Sequence, residues 1–252
     1  GYRYFPHHKS GFCPPLLPIS RPAPVRVTGV TTIEDGKKLV AYFFRVNEKM
    51  EALERGLALW DDAKQGFSIV ATFPTKEPSP ISGHPFHHEG WLYGTREGSD
   101  PLPCVRVRPT LEALKNPAAY ERLSVPALDL KDAKTGRKVQ AHGGSVRYNA
   151  YRKRWVMIVL EKFGKASNIG ELWYGEASEM IGPWEKVAQI ATHEKMDFYN
   201  PVHHSFFDKG KYLYLEGTYV NTFSGNPLTV PRYNYNQLLY RLDLETAAKA
   251  LA

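Results

Sequence analysis

The chain has 252 residues, with 33 Lys and Arg against 26 Asp and Glu and a formal net charge of +7. Its 42% hydrophobic and 23% charged residues exclude an intrinsically disordered chain and a coiled coil. The 15 Tyr and 12 Phe stand beside 20 Gly and 19 Pro, a balance that favours aromatic-rich strands joined by tight turns. We therefore expect an all-β protein.

The first 24 residues carry six prolines, and proline cannot donate to a sheet ladder. We predict that 1–24 is a proline-rich arm and that 25–252 forms one β-propeller domain. The longest apolar runs, such as 155–160, are far shorter than the ~20 residues of a transmembrane helix, so we expect no contact with a membrane. Cys13 and Cys104 are too few for a disulfide framework or a zinc knuckle, and we expect free thiols, with one bridge between them as the alternative.

Four units of similar pattern follow the arm, each with an apolar strand, a turn and a second strand. They cover about 25–75, 80–130, 140–192 and 198–244. Their second strands begin near Leu39, Trp91, Trp155 and Tyr212, at spacings of 52, 64 and 57 residues. This period fits the four-stranded blades of a β-propeller with loop insertions. A twisted β-sandwich is the alternative, because it also consists of short strands and turns.

Helix-forming composition is confined to 110–115 and 245–251, which we predict to be short peripheral helices. The fourth unit ends after its third strand at 242–244, where a closed propeller needs one strand more. We therefore expect a five-bladed β-propeller of which about four blades are visible in this chain. Either the arm 1–24 or a segment of another polypeptide would complete the ring and its pocket.

Histidines recur on or just before the first strand of three units, and in a propeller that strand lines the central axis. These histidines are His84, His142, His203 and His204. Converging imidazoles suit one divalent metal ion at the propeller centre or an acid–base site. We predict these four as candidate metal ligands, with His142 as a ligand or a catalytic base; side chains alternate along a strand, so only one of His203 and His204 can point inward. The alternative at each position is a hydrogen-bonded structural histidine.

Two acidic residues, Glu161 and Glu216, end the second strands of the third and fourth units. Because the repeat would put both carboxylates at one level around the ring, we expect them to face one cavity. Two carboxylates across a pocket are the minimum for glycoside hydrolysis, one as general acid and one to activate water or attack carbon. The alternative is that they form structural ion pairs with Arg147, Arg152 or Arg232.

Residues 216–237 combine Asn, Tyr, Thr and Arg at a density too polar for a core and too aromatic for a disordered linker. Tyrosine rings can stack on pyranose faces, while Asn and Arg pair with hydroxyls and carboxylates. We predict a sugar-binding wall here; a loop that joins two blades is the alternative. The expected substrate contacts are Tyr199, Asn200, Arg232, Tyr233 and Asn236.

Several functions lose support because their motifs are absent from the sequence. It has no phosphate-binding Gly-x-x-x-x-Gly-Lys-Ser/Thr loop, no Gly-x-Ser-x-Gly elbow and no His-Glu-x-x-His. Lys and Arg are dispersed rather than massed on one element, so we expect no nucleic-acid partner. The positive charge favours an acidic glycan if charge contributes to binding.

A family resemblance follows from Phe198-Tyr-Asn-Pro201, 216–227, 231–237 and Tyr240-Arg-Leu-Asp-Leu244. These segments resemble a bacterial family of domains related to five-bladed glycoside hydrolases such as family 43, strongly over 142–244 and faintly before about 80. The resemblance implies a five-bladed propeller, a secreted or periplasmic protein and a carbohydrate substrate. The enzymes resembled use three acids: a base, a pKa-tuning Asp and an acid Glu.

This sequence departs from that pattern, because only Glu161 and Glu216 stand at suitable repeat positions and no Asp-Pro occupies the place of the base. His84-Pro85 and Asn200-Pro201 stand in comparable places. The leading hypothesis is an enzyme that cleaves a glycan or glycoside, with Glu216 or Glu161 as general acid and His142 as base or metal ligand. The alternatives are a metal-dependent sugar lyase that uses the central histidines, and a non-catalytic glycan-binding propeller.

Overall fold

The computed structural model describes residues 16–18, 23–95, 101–164, 169–194, 196–222, 224–225 and 235–252. They form four β-sheets, which confirms the all-β prediction. Helical structure in these ranges is limited to α1 (Leu111–Lys115), α2 (Leu244–Lys249) and two 3-10 turns, Pro117–Ala119 and Ser205–Phe207. Neither α1 nor α2, nor any other helix in these ranges, has the length and apolar character needed to cross a membrane.

The chain divides into two compact units, and the first consists of Gly1–Glu97 with Cys104–Leu123. It holds two four-stranded antiparallel sheets whose strands lie side by side in chain order. The strands of its first sheet are β1 (Val25–Ile33), β2 (Lys38–Val46), β3 (Ala52–Asp61) and β4 (Gly66–Phe73). Those of its second sheet are β5 (Ser82–His88), β6 (Trp91–Thr95), β7 (Val105–Val107) and β8 (Glu121–Arg122).

One apolar core packs these two sheets together with α1. Its fully buried side chains include Tyr42 and Leu57 from the first sheet, Leu92 from the second, and Leu114 from α1. The described part of the arm, 16–18, lies against the first sheet: Leu17 is buried there, and the Leu16 carbonyl accepts a hydrogen bond from the Phe67 amide at 2.8 Å.

The second unit consists of Gly98–Pro103 and Ser124–Ala252 and holds the other two sheets. The strands of its larger sheet are β9 (Leu130–Asp132), β10 (Lys138–Val139), β11 (Ala141–Asn149), β12 (Arg154–Glu161), β13 (Glu171–Ala177) and β14 (Lys186–Ala191). Those of its smaller sheet are β15 (Asp197–His203), β16 (Tyr212–Val220) and β17 (Tyr235–Asp243). The strand orders are β10-β9-β14-β13-β12-β11 and β15-β16-β17.

The two sheets of the second unit share a core with α2. Ile158 and Tyr174 from the larger sheet meet Leu213 and Leu215 from β16, and Leu244 of α2 covers them. All five side chains are essentially inaccessible to solvent. Strands β11 and β15 lie next to each other, and the candidate site is built on these two strands.

The predicted second strands are confirmed, since β2, β6, β12 and β16 begin within one residue of the predicted positions. Both predicted short helices are also present, and each has a side-chain cap at its start. Thr110 Oγ1 accepts from the Ala113 amide at 3.3 Å, and an Asp243 carboxylate oxygen accepts from the amides of Glu245 and Thr246 at 3.0 and 3.3 Å.

Strands β9 and β10 were not predicted. They have only three and two residues, too few for a period-two pattern to emerge from the sequence. β9 pairs in parallel with β14 and antiparallel with β10, so it extends the larger sheet at its outer edge. The sheet therefore includes residues 130–139, between the second and third units of the predicted repeat.

Candidate functional site

In the second unit, a β-bulge interrupts β11 of the larger sheet and β15 of the smaller sheet. In β11, Ala141 pairs with Glu161 and Gly144 pairs with Val159, so His142 and Gly143 together oppose one residue. In β15, Tyr199 pairs with Thr218 and Val202 with Glu216, so Asn200 and Pro201 are the extra pair. Bulges re-aim side chains and are frequent beside active sites. The two bulges therefore define the candidate site.

The backbone of both bulges lies partly in the left-handed region. Gly143 and Gly144 have φ of 69° and 138°, and Asn200 has φ of 51°. A Cβ on Gly144 would lie 2.2 Å from the Ile158 carbonyl oxygen, so only glycine fits there. Asn is among the few other residues that adopt a positive φ readily. The result is that the side chains of His142 and Asn200 are both exposed.

The first unit repeats this irregularity in β5, where Ser82 pairs with Thr95 and Phe86 with Tyr93. The inserted segment includes His84, which is exposed. His84, His142 and Asn200 thus lie in the irregular parts of their strands. His203, the last residue of β15, lies on a first strand as predicted, whereas His204 follows that strand, and both come after the bulge in β15.

The His142 imidazole is neutral near pH 7. Partial burial lowers the pKa of His142 below its usual value, and the nearby Lys162 ammonium lowers it further. A neutral imidazole at an exposed bulge can accept a proton from water or from a substrate hydroxyl.

Glu216 and His204 form a pair on the smaller sheet. His204 Nε2 lies 2.9 Å from Glu216 Oε2, and the two side chains are 22% and 37% exposed. The His204 ring also contacts Phe206 and Phe207, with ring centroids 5.2 and 6.0 Å away. Glu216 is thus a carboxylate that solvent can reach and whose orientation a histidine fixes.

Glu161 lies in a different environment. It is 1% exposed, and both of its carboxylate oxygens accept hydrogen bonds from the Arg137 guanidinium, at 2.5 and 3.0 Å. Arg137 itself lies 5.5 Å from the centroid of the Trp173 ring. This geometry favours the structural ion pair, with Arg137 as the partner instead of Arg147, Arg152 or Arg232.

Glu161 and Glu216 differ in their place relative to the bulges. Glu161 pairs with the first residue of β11, before the bulge, whereas Glu216 pairs with Val202, after the bulge in β15. Glu161 ends β12 as predicted, but Glu216 does not end its strand, because β16 extends four residues past it. The common level of the two carboxylates around the ring stays a prediction.

His203 is buried and belongs to a hydrogen-bond network. Its Nε2 lies 2.9 and 3.0 Å from the Asp208 carboxylate oxygens, and the Asn149 amide donates to Asp208 at 2.9 Å. Its backbone N–H donates to Ser145 Oγ at 2.9 Å, while its Nδ1 is a buried atom with no hydrogen-bond partner in the described structure. Burial lowers the pKa of His203, and Asp208 offsets only part of this shift.

We expect His203 to make the protein less stable in acid. Because its pKa is lower in the folded chain than in the unfolded one, the unfolded state binds the proton more readily below about pH 6.5, and the free energy of unfolding falls as pH decreases from 7 to 5. Urea unfolding of the wild type and of His203→Gln at both pH values measures this effect. The variant should be less stable at pH 7 but show a smaller fall, and equal falls would contradict the assignment.

Only three of the five predicted substrate contacts lie among the described residues. Tyr199 is half-buried against the core of the second unit, Asn200 is exposed in its bulge, and Asn236 is half-buried on β17. Arg232 and Tyr233 lie outside the described residues. Thr218 donates to Gln237 at 2.9 Å, which joins β16 to β17 beside the predicted sugar-binding wall.

The described residues contain no group of donors that would support the predicted divalent metal ion. Across the ranges that the structure describes, no three His, Cys, Asp or Glu side chains are grouped so that they could hold a metal ion. The Nε2 atoms of His203 and His204 lie against Asp208 and Glu216, which explains these two histidines without a metal.

Two polar residues of β11 and β15 are buried. Asp197, the first residue of β15, is fully buried, and Arg147 on β11 is nearly so. Burial lowers the pKa of Arg147 to about 10, so it stays charged at neutral pH. The sequence analysis considered Arg147 only as an ion-pair partner and missed Asp197, because the fourth unit was predicted to begin at residue 198.

The four sheets are the blades of a β-propeller. No protein-family model and no curated protein sequence matches the chain. Solved structures do match. The exo-β-1,3-galactanase of Phanerochaete chrysosporium, crystallised with β-1,3-galactotriose, has a TM-score of 0.55 at 14% identity, over 92% of this chain and 50% of that one.

Two bacterial structures give the same result. A protein from Bifidobacterium bifidum s17, proposed to be an exo-β-1,3-galactanase, has a TM-score of 0.54 at 11% identity, over 90% of this chain and 73% of that one. The family 43 glycoside hydrolase YxiA of Bacillus licheniformis has a TM-score of 0.50 at 14% identity, over 86% and 56%. These similarities confirm the propeller fold and the sequence resemblance at the level of the fold.

Proposed function

We propose that the chain is a carbohydrate-active enzyme of the glycoside hydrolase type, which cleaves a glycan or glycoside beside the bulges of the first strands. The observation that carries the proposal is Glu216, a part-exposed carboxylate that His204 orients and that pairs in register with the first residue after the bulge of β15. The shared fold with a family 43 glycoside hydrolase and exo-β-1,3-galactanases supports the substrate class.

In this proposal Glu216 is the general acid. Its protonated carboxyl group would donate to the glycosidic oxygen as the bond to the anomeric carbon breaks. The hydrogen bond from His204 holds the carboxyl group in one orientation, and Phe206 and Phe207 limit the movement of the imidazole. Glu161 takes no part in the reaction in this assignment, because its two oxygens are bound by Arg137 and are closed to solvent.

His142 is proposed as the base that takes a proton from the attacking water. It lies in the bulge of β11, Glu216 pairs with the residue that follows the bulge of β15, and β11 and β15 pack against each other. The low pKa of His142 keeps the imidazole neutral at neutral pH, as a base requires.

We expect the pH profile to report this base. Because the pKa of His142 lies below its usual value of about 6.5, activity should persist on the acid side down to a pH below 6.5. Lys162→Gln removes the cation that contributes to the low pKa, so the acid limb of kcat/KM should move to higher pH. Lys186→Gln, at an exposed position of β14, is the matched control. An acid limb that does not move would contradict the role of His142.

The substrate contacts proposed are Asn200, Tyr199 and Asn236, with Arg232 and Tyr233 from the segment outside the described residues. The proposal has three further parts. They are an acidic glycan as substrate, a further polypeptide segment that completes the pocket, and a secreted or periplasmic location. The net charge of +7 supports the first of these, and the resemblance to exported polysaccharide-degrading enzymes supports the last.

A non-catalytic glycan-binding propeller is the second candidate, because only one of the two predicted carboxylates is open to solvent. Incubation with β-1,3-galactan and a panel of neutral and acidic polysaccharides, followed by chromatography of the products, separates the two. Shortened saccharides with new reducing ends support a hydrolase. Products with a new double bond indicate a lyase, and binding without products indicates a binding module.

A further inference from the structure

A cavity of about 450 Å³ lies at the opposite end of β11 from the bulge. Its walls are the turn from β11 to β12, with Tyr148, Asn149, Ala150 and Tyr151, and the connection from β15 to β16, with Ser205, Asp208 and Gly210. Five residues separate Gly144 from Asn149 along an extended strand, which corresponds to roughly 17 Å. The cavity is therefore separate from the site proposed for catalysis.

Two tyrosines give this cavity aromatic walls, and both rings are held by neighbours. Tyr148 and Tyr151 are each 46% exposed. The Tyr148 ring meets the edge of Trp155 with centroids 5.7 Å apart, and the Tyr151 hydroxyl donates to Glu245 at 2.8 Å. Aromatic side chains that are already ordered lose little conformational entropy when a ligand packs on them.

The polar side of the cavity is formed by the carboxylate of Asp208, which belongs to the hydrogen-bond network of His203. Asp208 is 15% exposed, and its oxygens are oriented by His203 Nε2 and Asn149 Nδ2. An ionised carboxylate accepts hydrogen bonds and does not donate them, so it selects a ligand that offers hydroxyl groups and disfavours a second carboxylate. Ser205 adds an exposed hydroxyl that can both donate and accept.

We propose that this cavity is a second saccharide site, which binds a neutral sugar ring without cleaving it. The volume lies within the range of small-molecule sites, and aromatic faces beside a fixed acceptor suit a pyranose, which has apolar C–H faces and an equatorial rim of hydroxyls. The choice of saccharide as ligand class rests on the proposed function, whereas the site itself rests on the cavity. It would hold a polymer on the protein while the first-strand site acts on it.

The test is affinity electrophoresis in gels that contain a neutral polysaccharide, either β-1,3-galactan or arabinogalactan, with polygalacturonate as the acidic comparison. Four proteins are compared: the wild type, Tyr148→Ala, Tyr148→Phe and Ala150→Trp. Ala150→Trp fills the cavity from an exposed turn position and leaves the hydrogen bonds of Asp208 intact. Tyr148→Phe keeps the ring face and removes only the hydroxyl. Melting temperatures confirm that each variant is folded.

We expect the neutral polymer to retard the wild type and Tyr148→Phe, and retardation to weaken about tenfold in Tyr148→Ala and Ala150→Trp. The proposal is overturned if all four proteins are retarded equally, if no neutral polymer retards the wild type, or if only polygalacturonate does. Product analysis on the same proteins keeps the two proposals apart. Retardation that depends on the cavity without any cleavage would leave this site standing and remove the hydrolase proposal.

Discussion

Replacement of Glu216 by Gln should abolish turnover and leave the melting temperature within a few degrees of the wild type. The substitution is nearly isosteric and keeps a hydrogen-bonding group beside His204, but an amide cannot supply the proton that the leaving oxygen needs. A general acid contributes roughly 10²- to 10⁴-fold to the rate, so kcat should fall by at least two orders of magnitude. Initial rates on the polysaccharide that gives products, together with a melting curve, measure both effects.

Glu121→Gln is the matched control for this experiment. Glu121 also accepts a hydrogen bond from a basic side chain, that of Arg106 at 2.8 Å, but lies on β8 in the first unit. The control variant should turn over substrate at the wild-type rate. If Glu216→Gln melts far below the wild type while its specific rate stays normal, Glu216 is a structural residue and the proposed mechanism fails.

Replacement of Arg137 by Met should destabilise the protein strongly. Glu161 would then be a buried carboxylate whose two guanidinium hydrogen bonds are lost, and such an uncompensated charge costs about 3 kcal/mol. Since Arg137 is 44% exposed, water can replace part of the lost interaction. We therefore expect the free energy of unfolding to fall by about 2 kcal/mol. Urea denaturation at neutral pH measures the change.

The double variant Arg137→Met with Glu161→Gln provides the control, because it removes the buried charge together with its partner. It should recover part of the stability that Arg137→Met loses. A single variant as stable as the wild type would show that the pair contributes little. If Glu161→Gln alone keeps its stability but loses turnover, Glu161 is catalytic after all, as the sequence hypothesis allowed.

The sequence predicts the sheets well where turns and apolar runs alternate. The segment Glu34, Asp35 and Gly36 shows why: all three residues have a positive φ, which Asp and Gly tolerate, and the strands on either side are apolar on the face that packs. β9 could not be predicted in the same way. Its pairing with β14 depends on residues more than fifty positions away, and three residues carry no period of their own.

The site was predicted less well because its geometry depends on where the ladder is irregular. His142 and Asn200 lie in bulges because each strand contains one extra residue, and counting residues from the turns hides this. The bulge in β15 comes before His203 and His204, so neither histidine lies in it. Glu161 illustrates a second difficulty, since its partner Arg137 lies in the connection before β11, a part of the chain with no predicted element.

The bulge of β11 separates the residues that hold the sheet from those that meet a ligand. Gly144 admits no other side chain, because the Ile158 carbonyl oxygen occupies the space of a Cβ, whereas His142 projects into solvent two residues earlier. Position 142 can therefore accept many side chains while the ladder on both sides keeps its register. Position 200 accepts fewer residue types, because its positive φ favours Asn, Asp or Gly. A library aimed at new specificity would keep His142 as the proposed base, restrict 200 to those three residues and leave 144 unchanged.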